Sequence, residues 1–248
     1  MESIHNDKIA MVTGAAGPMG AAVVRKLLSQ GCSVAMVDIL DEGLRMIVDE
    51  CGENVHPIVA DIREPYNVSE MYAEVEERFG GVDILVNNAG ILSNNKVLET
   101  SPEEWRNVLS VNLDSAFYLC QQVVPRMRST GWGRIINTCS LASKTGGITA
   151  GTAYTTSKGA LTSLTFSLAR ELAGEGITVN GISPAYVKTP MITEQLSEAQ
   201  RQELLKQIPV GRFCETDEFA HVVSFLAHPM SGFITGEIID LNGGHLFD

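Results

Sequence analysis

Between a short apolar run, Lys8–Thr13, and a segment whose Met19, Ala22, Val23, Val24, Leu27 and Leu28 recur at helical spacing lies the turn Thr13-Gly14-Ala15-Ala16-Gly17-Pro18-Met19-Gly20. Strand, glycine-rich turn and helix form the first part of a βαβ unit, with Gly31 ending the helix. Glycines in such a turn let the backbone approach a pyrophosphate closely, and the helix start offers free N–H groups and a positive dipole end. The next strand, Ser33–Asp38, ends on a carboxylate 18 positions beyond Gly20. That is close to the spacing at which dinucleotide folds place an acidic residue on the adenosine ribose hydroxyls. A 2′-phosphate there would meet the negative charge of Asp38 and, in Ile39 and Leu40, no compensating arginine. The expected cofactor is therefore NAD and not NADP.

Alternation of strands and helices continues along the chain. Val55–Asp61 reads as a third strand, followed by a helix with Val68, Met71, Tyr72, Val75 and Phe79 on one face. Asp83–Gly90 is a fourth. Ser101-Pro-Glu-Glu104 has the spacing of a capping box and opens a long helix running towards Arg128, which Pro125 should end or kink. Gly133–Ser140 is a fifth strand, Thr152 to about Ala173 a helix, Ile177–Pro184 a sixth strand and Glu237–Leu241 a seventh, with Thr216-Asp-Glu capping the helix before it. The pattern predicts a Rossmann-type, doubly wound α/β fold: a seven-stranded parallel sheet with helices on both faces. Residues 1–248 read as one dinucleotide-binding catalytic domain, and the long connection at about 185–215 as a substrate lid.

Tyr154 and Lys158 are four residues apart near the start of a helix, so their side chains share a face. An ammonium about 4 Å from the phenol favours the phenolate by roughly 4 kcal/mol at an effective dielectric of about 20, enough to bring the tyrosine near neutrality, where a general acid/base works best. With Lys+Arg 18 against Asp+Glu 30, the net charge of −12 argues against nucleic acid and anionic membranes as partners. No apolar run approaches the roughly 20 residues of a bilayer span, and the first residues do not read as a secretory signal, so a cytoplasmic protein is expected. Its 5 cysteines have no CxxC or Cys/His metal spacing, which predicts reduced, mostly buried thiols and no metal site.

Taken in order, Thr13-Gly14…Gly20, Asp61, Asn87-Asn88-Ala89-Gly90, Asn112, Ser140, Tyr154-x-x-x-Lys158, Pro184 and Thr189-Pro190-Met191 resemble the short-chain dehydrogenase/reductase superfamily over nearly the whole chain. The resemblance implies that Ser140 binds the substrate oxygen and Tyr154 exchanges the alcohol proton. Lys158 would hold the nicotinamide ribose, and Asn112 would hold a water linking the lysine to solvent. It also implies a cofactor cleft built from Gly14, Gly17, Met19, Gly20 and Asp38, from Asp61 and Ile62 at the adenine, and from Asn88, Ala89 and Gly90. Tyr154, Lys158, Pro184, Val187 and Thr189 complete the cleft, the last two at the carboxamide. Two departures stand out. Pro18 occupies a position where the family usually has glycine and offers no N–H to a phosphate. Ala185 replaces a frequent glycine.

The expected reaction is NAD-dependent interconversion of a secondary alcohol and its ketone. Asn94, Asn95, Lys144, Thr149, Tyr186, Met191, Ile192 and His245 are expected at the substrate mouth, a polar mixture that points to a polyol, sugar or small hydroxy acid. Two alternatives are a 3-oxoacyl thioester (acyl carrier protein) reductase, which would need NADPH and a basic face, and a non-catalytic dinucleotide-binding sensor. A homotetramer is expected, as in the family, from a second apolar edge at Leu161, Leu164, Leu168 and Leu172.

Overall fold

The structure, a computed structural model, describes residues 4, 5, 7–189 and 197–247. Seven strands, β1 (Ile9–Thr13), β2 (Ser33–Asp38), β3 (Val55–Val59), β4 (Ile84–Asn87), β5 (Gly133–Thr138), β6 (Ile177–Pro184) and β7 (Ile238–Leu241), form one parallel sheet in the order 3-2-1-4-5-6-7. The doubly wound architecture expected from the sequence is present. Its order reverses between β1 and β4, where Ala10 pairs with Ile84 and Val12 with Val86. An open α/β sheet binds its ligand beyond the carboxyl ends of the strands at this reversal.

Side-chain alternation along the strands feeds two cores. Ala10, Val12, Val34 and Met36 face α1 (Pro18–Ser29) and α2 (Asp41–Cys51), while Met11, Ala35 and Val37 face α3 (Pro65–Phe79). On the second face α5 (Ser115–Thr130) and α7 (Thr152–Leu172), the latter preceded by the short α6 (Ala142–Thr145), add Leu119, Val123, Met127 and Leu172. α9 (Thr216–Ala227) packs Phe219, Val223 and Leu226 into the first core.

Several expectations are corrected. Helix α2 stands where the sequence shows only Leu44 and Ile47 as buried positions. The long helix is three segments: α4 (Pro102–Leu109), a π-helical stretch Ser110–Asp114, then α5, which continues past Pro125 to a left-handed Gly131. Ser101 Oγ accepts from the Glu104 N–H, as the capping spacing requires. The long connection contains α8 (Glu198–Lys206), capped reciprocally by Ser197 and Gln200. Glu215, and not Thr216, caps α9. Leu161 and Leu172 are buried, and Leu164 and Leu168 pack against the interior, so they form no free edge. The expected Pro190, Met191 and Ile192 lie outside the described residues.

Candidate active site

The glycine turn and the loop after β4 form two lips of a cleft. Gly14 takes a φ of +64°, and a Cβ on Gly20 would lie 2.1 Å from the Gly14 oxygen, so the tight turn needs glycine at both. Asn88 holds the lips together: its N–H donates to Thr13 Oγ1 at 3.0 Å and its amide to the Thr13 oxygen at 3.0 Å. Gly17 caps α1 and Pro18 occupies its first turn. The N–H groups of Met19 and Gly20 are then left without intrahelical partners, as helix geometry dictates, and Pro18 has none to give.

At the far end of the cleft the Asp38 carboxylate accepts from the Ala16 N–H at 3.0 Å and the Leu40 N–H at 3.1 Å, which fixes its orientation. Ile39 and Leu40 beside it are 66% and 60% exposed, an apolar surface unusual at a strand end. Asp61, Ile62 and Arg63 line the same recess. Arg63, which sequence reasoning missed, donates through Nε to both Asp61 oxygens at 2.9 Å and through Nη1 to Asn107 at 2.9 Å. This pairing holds the Asp61 carboxyl below its usual range.

At the other end β5 delivers Ser140 and α7 delivers Tyr154 and Lys158. A buried polar chain aligns them: Asn87 donates to Asn137 Oδ1 at 2.8 Å, and Asn137 donates to Thr165 Oγ1 at 2.9 Å, joining β4, β5 and α7. Ser140 Oγ accepts from the Ala142 N–H at 3.2 Å, and Ser140 and Tyr154 line the same cavity. Lys158 is buried, with its ammonium 2.7 Å from the Thr138 oxygen and 5.9 Å from the centroid of the Tyr154 ring.

Burial pushes the Lys158 ammonium down to about 8 and pushes the Tyr154 phenol up, the latter against the lowering effect of the Ser140 side chain. The depressed phenol expected from helix spacing is therefore corrected. Burial dominates at the phenol, and the Lys158 ammonium, which points at a backbone carbonyl, does not oppose it. Cys139 is buried and its thiol is raised by that burial, so it is a packing residue with no nucleophilic role.

Asn112 sits in the π-helical stretch. Its amide donates to the Ile91 oxygen and Ser157 Oγ, both at 3.0 Å, and its Oδ1 accepts from the Ile91 N–H at 2.8 Å. Asn112 Oδ1 and Lys158 Nζ converge at Gly90, where a Cβ would stand 3.2 Å from the first and 3.4 Å from the second. The π turn rotates Asn112 inward, a local feature that often marks functional positions.

A family model described as enoyl-(acyl carrier protein) reductase matches residues 14–245. The chain belongs to the short-chain dehydrogenase/reductase superfamily. It is 37% identical over 238 residues to the 3-oxoacyl-[acyl-carrier-protein] reductase FabG of Vibrio cholerae, covering 96% of each chain, and equally so to that of Escherichia coli strain K12. The Aquifex aeolicus FabG is 36% identical over 248 residues, 98% of this chain and 99% of its own. A crystal structure of a short-chain dehydrogenase/reductase from Brucella melitensis, named as a glucose/ribitol dehydrogenase, superposes with a TM-score of 0.89 at 32% identity over 100% of both chains.

As a short-chain dehydrogenase/reductase, the chain is an oxidoreductase acting on CH–OH groups with a nicotinamide dinucleotide. Its cleft fits that cofactor: a glycine cradle, two free helix N–H groups and the backbone-held carboxylate of Asp38 line the same cleft as Lys158. Gly14, Gly17, Met19, Gly20, Asp38, Asn88, Ala89, Gly90, Ser140, Tyr154, Lys158, Pro184, Val187 and Thr189 line one continuous cleft. Asp61 and Ile62 line the recess that adjoins it at Asp38, and Asn112 lies against Gly90.

Of the expected mouth residues, Thr149 and Tyr186 border Ser140 and Tyr154. Beside them the cavity is lined mostly by apolar groups, Leu92, Leu141, Ala142, Ile148, Ala150 and Ala185, with Thr145 as a further hydroxyl. Lys144 instead pairs with Asp240 at 2.6 Å, Asn95 donates to Glu104 at 2.8 Å, and His245 Nδ1 meets the Gln207 oxygen at 2.8 Å.

Proposed function

We propose that this chain interconverts 3-oxoacyl and 3-hydroxyacyl thioesters with NAD(H). The mostly apolar cavity against Ser140 and Tyr154 carries the acyl reading, and the names of the FabG relatives support it over the polyol or sugar expected from the sequence. The likeness to the Brucella melitensis glucose/ribitol dehydrogenase supports a sugar or polyol as second reading. Asp38 supports NAD: a 2′-phosphate would face its carboxylate, and Arg63, which lines the same recess, is engaged by Asp61 and Asn107.

In reduction, the ketone oxygen lies between Ser140 Oγ and the Tyr154 hydroxyl. The dinucleotide, when bound, supplies the hydride that reaches the carbonyl carbon. Tyr154 gives its proton to the oxygen as the carbon–oxygen double bond becomes single, and the Ser140 hydroxyl donates to the same oxygen while charge develops. The raised phenol stays protonated at neutral pH, which suits an acid. Lys158 and Asn112, converging at Gly90, hold the route by which the tyrosinate recovers its proton.

The acyl group, more than its carrier, is what this site recognises. The net charge of −12 opposes an acidic carrier. Residues 1–248 act as one catalytic unit, and the segment at about 185–215 acts as a lid. Support for the lid comes from its two ends, which meet beside the cleft: Val187 bridges Cys214, and the Lys188 N–H donates to the Cys214 oxygen at 2.8 Å.

A panel of 3-oxoacyl thioesters, polyols, sugars and hydroxy acids, assayed with each coenzyme by nicotinamide absorbance, tests the reading. Thioester turnover with kcat/KM at least about tenfold higher for NADH than NADPH is expected, the equivalent of one modest charge interaction. Turnover of polyols or sugars alone would establish the second reading, and NADPH preference would overturn the role of Asp38.

A further inference from the structure

Ala185 and Tyr186 border two cavities. One is the cavity before Ser140 and Tyr154; the second, the rear cavity, is lined by Ile208, Val210, Cys214, Leu241, Asn242 and Gly243, with Arg212 and Glu218 beside them. Those two charged groups satisfy each other through bonds of 2.6 and 2.7 Å, which leaves hydrocarbon as the main unpartnered surface.

Tyr186 is held as a wall. Its backbone oxygen accepts from the Cys214 N–H at 3.0 Å, next to the Val187–Cys214 bridge. Phe213 and His245 both meet its ring edge-on, with centroids at 6.3 and 6.1 Å. His245 is itself tethered through Nδ1 to the Gln207 oxygen, so the C-terminal tail braces the ring. A half-buried aromatic fixed from its backbone and two flanking rings fills space at small entropic cost.

We propose that Tyr186 is the chain-length stop of the acyl site. Resting on the thioester reading above, it divides one hydrophobic volume in two, and acyl carbons that fill the first cavity end against its ring. Removing the ring joins the cavities and admits a longer chain. Each methylene that then leaves water raises kcat/KM about fourfold until the rear cavity is filled.

The test is the length profile of kcat/KM over a homologous series of 3-oxoacyl thioesters for wild type, Tyr186→Ala and Tyr186→Phe. Wild type and Tyr186→Phe should plateau or fall at the same length, while Tyr186→Ala should continue rising for several further carbons, chiefly through KM. Adding Val210→Phe to Tyr186→Ala should refill the rear cavity and restore the shorter limit. Should Tyr186→Ala be insoluble, Tyr186→Leu carries the same prediction with a smaller extension. An unchanged length profile in the folded variants overturns the stop while leaving the thioester reading intact. A wild type that turns over no acyl thioester overturns that reading itself.

Discussion

Tyr154 and Lys158 share a helix face, yet burial drives each towards its neutral form. Spacing alone predicts the attraction between the two charges, because it fixes their separation. It carries no information on how much water the surrounding β4, β5 and α7 exclude, and that exclusion decides the direction here. His5 is a second case, at the opposite end of the sheet. It is buried with both ring nitrogens unpartnered, and burial, followed by the nearby His228, Arg134 and Lys8, pushes its pKa down to about 4. The unfolded chain takes up this proton near the ordinary value of 6.5, so the native state binds fewer protons between that value and about 4. The contribution of neutral His5 to stability is thus complete above the unfolded pKa and is lost as pH falls through this window. Denaturant titrations at about pH 7 and about pH 4.5 should show wild type losing roughly 2 kcal/mol more than His5→Phe. Equal losses would show that His5 does not titrate differently on folding.

Elements differed in how legible they were. Ser33–Asp38 and Ile177–Pro184 occupy the bounds read from the sequence: the first is an apolar run, the second is bounded by Gly176 and Pro184, and both are buried on both faces. Helix α2 carries Leu44, Ile47, Val48 and Cys51 at helical spacing against the first core, but its internal Gly43 and charged remainder mask the signal, whereas α8 buries only Leu204 and shows no amphipathic stripe. The π-helical stretch at Ser110–Asp114 has no periodic signature, although it orients Asn112. Within the site, Ser140, Tyr154, Lys158 and the glycine turn were legible because backbone geometry and chemistry demand those residue types. Arg63 was not, as its partner Asn107 is 44 residues away in sequence. The substrate mouth was legible only in part, at Thr149 and Tyr186, because nothing local shows that Lys144 pairs with Asp240, which is 96 residues distant.

For the whole molecule, no helix among the described residues is long and apolar enough to cross a membrane. Large apolar side chains nevertheless remain outside: Phe117 on α5, Phe166 on α7, and Met230 and Phe233 before β7. With Leu161 and Leu172 in the core, these exposed groups are what supports the homotetramer that we propose. Sedimentation should give four times the 26.8 kDa chain mass, and Phe166→Asp should dissociate it; a wild-type monomer at micromolar concentration would refute the assembly.

All three scales meet in the transfer of one proton from Tyr154. The most direct test follows NADH consumption by Tyr154→Phe with a 3-oxoacyl thioester at saturating coenzyme, alongside coenzyme affinity measured by fluorescence. A fall in kcat of about 100-fold or more with coenzyme affinity within about twofold of wild type is the predicted result. Retention of kcat within a few fold would contradict the assignment of Tyr154 as the acid.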